Sequence, residues 1–333
     1  MLLERLYNAI NSAWKTFSML KTFSGRGLMQ DSMYRYMRVG IIHFKAFPDT
    51  VRGEGDIAGT LRKICEDDFW TAVEVGWMKD IQVRDEARAI LAQSHIAVAY
   101  ACQPAMFSQK LNLNHFDAGE RKKALAQIRN CIDEACQLGA ASINVFSGKD
   151  PGAPKREEAK KLLIDSLVQI CDWAKDSDLD VRMKIFDQDV DKCFLIGPFA
   201  DALEVAKVLR PHYSRFGLLS DLSHFPLLRE DVRSSVKLVK DYLVHFHIGN
   251  CIGPDNKKHF LYGDLQPRFG MEGGEIDTAE VADYFRCLLE EGLLNPNDRP
   301  LVSAEVRPLL HYETSELILA NTKRVIKEAW ALA

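Results

Sequence analysis

An aspartate, a histidine and a glutamate stand at or near the ends of three short apolar runs in the C-terminal half of the chain. Asp221 closes FGLLSD (216–221), His247 lies in LVHFHI (243–248) and Glu305 closes LVSAE (301–305). Carboxylate oxygens and an imidazole nitrogen converging on one point suit manganese, magnesium, cobalt or zinc. The same groups can carry a proton during chemistry next to a carbonyl. Singly, each has an ordinary structural reading. A strand histidine is usually a satisfied core residue, and Glu305 has Arg307 close by as an ion-pair partner. Together, at equivalent heights on consecutive strands, they point to a site. His245 precedes His247 by two residues, so both side chains share one face of the strand. His247 is nearer the strand end and is the ligand candidate; His245, a layer deeper, reads as structural.

Such convergence needs parallel strands, and the chain supplies the pattern for them. Apolar or β-branched runs recur at 39–45, 71–75, 95–100, 141–146, 180–186, 216–221, 243–248 and 301–305. Helical periodicity follows each, near 56–67, 82–93, 117–138, 154–176, 197–210, 229–241, 277–291 and 313–331. Strands alternating with helices imply a parallel sheet with helical crossovers. Eight units with runs too apolar to be half-exposed imply a closed (β/α)8 TIM barrel. An open doubly wound sheet is the alternative, but the first run leads into Phe47-Pro48-Asp49-Thr50, not a glycine-rich fingerprint. Two connections on the C-terminal side of the strands are long, 101–116 and 249–276, and long loops in a compact domain are usually functional.

The barrel is expected over 37–333, preceded by an N-terminal helical extension over 1–36. Leu3, Leu6, Ile10, Trp14, Phe17 and Leu20 recur at helical spacing, and Gly25-Arg26-Gly27 reads as a linker. Three readings of the extension stay open: a helix packed on the barrel or on a partner subunit, translation starting at Met37, and a targeting segment. Residues 1–38 hold six basic and two acidic side chains, whereas the whole chain has a net charge of −4, so its body is acidic. That disfavours a nucleic-acid surface. No apolar run is long enough to span a membrane. The eight cysteines are scattered and contain no CxxC. Free thiols in a reducing cytoplasm are the simpler reading.

The segments SDLSHFPLL (220–228), LVHFHIGN (243–250), GDLQPRFG (263–270), GGEID (273–277) and SAEVRP (303–308) resemble the sugar phosphate isomerase/epimerase branch of the xylose isomerase-like TIM barrel superfamily. The resemblance runs from about Val39 to Trp330. It implies one divalent metal, Mn2+ or Mg2+, held by a glutamate, an aspartate, a histidine and a glutamate from the fifth to eighth strands. The last three correspond to Asp221, His247 and Glu305. His224 corresponds to a substrate contact, and Glu305 to an acid/base as well as a ligand. The implied chemistry is proton abstraction next to a carbonyl of a small carbohydrate, with the metal stabilising the oxyanion.

One position departs from that pattern. The expected fifth-strand glutamate is Lys184, in Arg182-Met183-Lys184-Ile185-Phe186, while its neighbours Phe186, Asp187 and Ile196-Gly197-Pro198 keep the pattern. Two carboxylates with one ammonium already equal the net −1 of three carboxylates around a dication. Adding the dication would set two cations side by side, at several kcal/mol. Either Lys184 weakens or replaces the metal and acts in catalysis, or it turns out of the mouth and leaves three ligands. Three functions follow: a sugar or polyol isomerase/epimerase, the large subunit of a C-glycoside-cleaving complex with a small partner subunit, or a non-catalytic sugar-binding or scaffold barrel. A homo-oligomer is implied by resemblance alone. His43, Glu74 and Arg268 are further substrate-binding candidates, with Lys149, Phe107 and Phe269 behind them.

Overall fold

Strands buried on both faces need helices outside and a filled interior, and the chain folds that way. The computed structural model describes residues 29 and 31–333. The strands are β1 (Arg38–Ile42), β2 (Ala72–Val75), β3 (Ala97–Ala101), β4 (Ser142–Phe146), β5 (Asp180–Lys184), β6 (Phe216–Asp221), β7 (Leu243–Gly249) and β8 (Leu301–Glu305). They pair in parallel in chain order, and β8 closes on β1. This is the (β/α)8 barrel expected from the alternation.

The helices are α1 (His43–Ala46), α2 (Ile57–Cys65), α3 (Ile81–Ser94), α4 (Gln103–Ser108), α5 (Ala118–Gln137), α6 (Arg156–Asp176), α7 (Phe199–Leu209), α8 (His224–Leu228), α9 (Val232–Val239), α10 (Thr278–Glu290) and α11 (Ser315–Leu332). Helix α5 shows how they cover the sheet. Ala124, Leu125, Ile128, Cys131, Ile132 and Ala135 form its buried stripe, and the Asp117 carboxylate caps its start by accepting from the Glu120 N–H. Among the described residues no helix is long and apolar enough to cross a membrane, and none of the eight cysteines is in a disulfide.

Three short helices were not expected. The first strand stops at Ile42, and His43–Ala46 forms the turn α1. The loop 101–116 holds α4, whose early Pro104 suits a first helical turn. Helix α8 begins at His224, directly beyond β6. The amphipathic helix and linker expected at the N-terminus lie outside the described residues. Their sequel packs on the barrel: Trp330 Nε1 donates to the Asp31 carbonyl at 2.7 Å, and Met33 and Met37 are buried.

One irregularity matters for the site. Leu218 pairs with Leu243, but Leu219 pairs with His245, so the β6–β7 ladder slips by one residue. Gly217 permits the close approach there, since a Cβ would run into the Val244 side chain. Beyond the slip, Asp221 stands opposite His247. Without it, Phe246 would take that place.

Candidate active site

Strand ends place the ionisable side chains in the barrel core, where each must find a partner or lose its charge. Lys184, the last residue of β5, is fully buried. Its Nζ lies 2.8 Å from Asp221 Oδ2, donates to Glu305 Oε2 and sits 3.3 Å from His247 Nδ1. The reading in which it turns out to solvent is therefore corrected. Burial disfavours the ammonium, but the Asp221 and Glu305 carboxylates outweigh it and raise its pKa well above the usual lysine range.

Glu74 from β2 lies at the centre of the barrel rather than at its mouth. Its Oε1 is 2.8 Å from His247 Nε2 and 2.9 Å from His245 Nε2, and its Oε2 accepts from Asn144 Nδ2 at 2.6 Å. His247 also meets Glu305 Oε2 through Nδ1, at 3.1 Å. Burial pushes His247 down, but the flanking Glu74 and Glu305 carry it to about 9, so it is an imidazolium at neutral pH. His245 goes the other way. Burial holds it near 3 against the pull of Glu74, and Arg182 approaches its Nδ1 at 3.2 Å, the contact of a neutral ring accepting there.

Glu305 completes the cluster. Burial would raise its pKa, yet the Lys184, Lys45 and His247 cations hold it well below the usual carboxylate range. Lys45, from α1, reaches its Oε1 at 2.9 Å. Thus three carboxylates (Glu74, Asp221, Glu305) face three cations (Lys184, His247, Lys45). The net −1 expected from Lys184, Asp221 and Glu305 alone becomes zero once Glu74, Lys45 and the charged His247 are included.

Asp221, His247 and Glu305 offer donor atoms within 4.8 Å of one another, and Glu74, His245 and His247 form a second such group. The first set has the right chemistry for a divalent cation, but the Lys184 ammonium stands among its donors. A metal-ligating histidine must also be neutral. These residues do not fit a dication while Lys184 keeps its proton.

Asp221 is held from its other side. Its Oδ1 accepts from the Ser223 hydroxyl at 2.8 Å, and Gln266 Nε2 donates to that hydroxyl at 3.1 Å. His224 is buried with its ring edge against Phe186. Its nitrogens lie 3.6 Å from Asp264, 3.8 Å from Asp221 and 3.9 Å from Asp187, and neither has a hydrogen-bond partner among the described residues.

A cavity of about 390 Å³ opens at the C-terminal mouth. Glu305 lines it, with Lys45, Gln103, Phe107, Phe186 and Asp264. Gln103 and Asp264 escape sequence reasoning because they lie in a short helix and a loop of no periodicity, and Lys45 because it reads as the end of the first strand. Lys45 and Gln103 follow closely on a strand, and Gln103 and Asp264 fall in the two long loops; these positions were the signals available.

Two expected substrate contacts lie elsewhere. The chain turns into α1 straight after Ile42, so His43 faces Thr60 and its Nε2 meets that hydroxyl at 2.8 Å. Arg268 is wrapped by its own loop: it donates to the Phe269 and Gly270 carbonyls and has Glu313 at 3.5 Å. Neither lines the cavity. Phe269 is buried, and Lys149 donates to the Lys192 carbonyl.

The location of His43 has a consequence for stability. Burial lowers it to about 4, against a weaker upward pull from Asp56. A depressed folded pKa means stability present above pH 6.5 and lost as pH falls toward 4. Between pH 7.5 and 4.5 this is about 2–3 kcal/mol. Urea unfolding at both values checks it: His43→Asn should flatten the pH dependence by that amount, and identical slopes would refute it.

A family model for the xylose isomerase-like TIM barrel matches residues 69–287, about two-thirds of the chain. The chain belongs to the xylose isomerase-like TIM barrel family. The matched stretch of this xylose isomerase-like barrel contains Glu74, Lys184, Asp221, His224 and His247, while Glu305 lies beyond it. No curated protein sequence matches the chain. Among solved structures, a D-tagatose 3-epimerase-like protein superposes with a TM-score of 0.68 at 16% identity, over 88% of this chain and 97% of that one. The apo form of 3-keto-D-glucoside 4-epimerase, YcjR, from E. coli gives 0.63 at 15%, over 87% and 99%. The IOLI protein with a binding zinc atom gives 0.67 at 17%, over 88% and 98%. These structural neighbours include sugar epimerases and a zinc-binding barrel; at such identities the likeness shows the fold.

Proposed function

We propose that the chain is a carbohydrate isomerase or epimerase in which Glu305 moves the proton and Lys184 stands in place of a fourth metal ligand. The observation that carries this reading is the position of Glu305. It lines the mouth cavity, its Oε2 is held by Lys184 and His247, and its Oε1 is partnered by the half-buried Lys45. The sugar-epimerase neighbours support the substrate class.

In this mechanism the C–H next to the substrate carbonyl gives its proton to Glu305 Oε1. The electron pair moves onto the carbonyl oxygen. Lys45 swings from Glu305 to that oxyanion, which stabilises it and, by leaving, raises the basicity of Glu305. For an isomer, Glu305 returns the proton to the neighbouring carbon on the same face while the hydroxyl proton passes to the former carbonyl oxygen. For an epimer, water on the opposite face protonates the original carbon and Glu305 releases its own proton to solvent. His224 orients a substrate hydroxyl with its unpartnered ring nitrogens. The Lys184 ammonium sits between Asp221 and Glu305 where a cation would bind, so no metal enters the scheme.

Solvent-deuterium uptake tests it. In D2O with a chelator, one member of a panel of ketoses, aldoses and keto-glycosides, each in neutral, carboxylated and phosphorylated forms, should acquire deuterium next to its carbonyl. Glu305→Gln should slow uptake by about 10²–10⁴-fold with the fold retained. Uptake by no panel member would favour a binding barrel, the reading supported by the cations that hold Glu305 in its low-pKa state.

A further inference from the structure

The charges around the mouth cavity are not balanced. Lys45, Arg52, Lys192 and Arg307 line it, against Asp264 and Glu305. Both carboxylates are already neutralised: Glu305 by Lys184 and Lys45, Asp264 by Lys192 at 3.0 Å. Arg52 and Arg307 make no side-chain hydrogen bond or ion pair with any described residue. Both are exposed, and both belong to segments just beyond β1 and β8, which are paired neighbours in the barrel. Two guanidinium groups thus reach one side of one cavity in a chain whose net charge is −4. A cleft of one sign concentrates ligands of the other sign. Guanidinium forks match carboxylate and phosphate oxygens two at a time.

We propose that this cavity takes a carbohydrate bearing an anionic group, a carboxylate or a phosphate, held by Arg52 and Arg307. The inference rests on the reading of the cavity as the carbohydrate site. Its volume of about 390 Å³ suits a molecule of hexose size. Arg307 is two residues beyond Glu305, so the anionic group lies on the β8–β1 side, and Phe107 and Phe186, which also line the cavity, offer an apolar surface to the sugar ring.

Calorimetric titration of the full chain with D-glucose, D-glucuronate, D-glucose 6-phosphate and inorganic phosphate tests the proposal. At least one anionic sugar should bind about tenfold or more tightly than D-glucose, with the gap narrowing as salt is added. A gain for glucuronate alone assigns a carboxylate. A gain for the phosphorylated sugar, with binding of inorganic phosphate, assigns a phosphate. The R52A/R307A double variant should keep the wild-type Tm, since both side chains are exposed, and bring the anionic-to-neutral affinity ratio close to one. Anionic sugars that bind no tighter than D-glucose, binding by none of the sugars, or a preference that survives in the double variant would overturn it. The readout is affinity alone, so it stands apart from the deuterium test of catalysis.

Discussion

Lys184→Glu is expected to create a divalent-metal site. The substitution exchanges a fully buried ammonium among Asp221, His247 and Glu305 for a carboxylate, a change of two charge units within contact of the donors. A unit charge about 4 Å from a dication contributes several kcal/mol even at the moderate effective dielectric of protein sites. Affinity for Mn2+ should therefore rise by at least about 100-fold, or roughly 2.7 kcal/mol. Without metal the variant crowds the introduced carboxylate with Asp221, Glu305 and Glu74 around one imidazolium, and it should be much less stable than the wild type. Mn2+ at about 100 times its Kd should return about 2.7 kcal/mol of that stability. Calorimetric titration with Mn2+ and thermal unfolding with and without the ion measure both effects. Equal affinity in wild type and variant would show that Lys184 does not occupy the metal's place.

Glu74→Ala should strongly destabilise the barrel core. It strips the partner from the charged His247, from His245 and from the Asn144 amide, all buried. Removing one partner of a buried charge pair costs about 3–5 kcal/mol, because the remaining charge is left uncompensated. The exposed Lys63–Glu316 pair is the internal comparison, and Lys63→Ala should cost about 1 kcal/mol or less. Urea unfolding of both variants decides: a Glu74→Ala loss as small as that of Lys63→Ala would mean that the central carboxylate is not needed to balance its neighbours.

The eight strands are legible because a parallel strand buried on both faces is an uninterrupted apolar run, and the helical periods between them force the crossovers. The pairing of His245 and His247 on one face is legible from alternation alone, and both rings meet Glu74. The end of β1 was not legible. His43-Phe44-Lys45 continues the apolar alternation of the strand, and only the turn into α1 sends His43 to Thr60 and Lys45 to Glu305. Arg268 carried the right charge in the right loop, but the folded loop supplies carbonyl acceptors that hold it away from the cavity.

Lys184 separates the two kinds of information most clearly. The sequence by itself determined the barrel, the residues at its strand ends, and that an ammonium replaces the expected carboxylate; these follow from residue identity and local period. Only the tertiary structure decided what that ammonium does. Its burial, the one-residue slip that sets Asp221 against His247, and the charges of Glu74 and Lys45 come from segments far apart in the chain. Electrostatic energy depends on distance and desolvation in three dimensions, and neither is encoded in the spacing of residues along a strand.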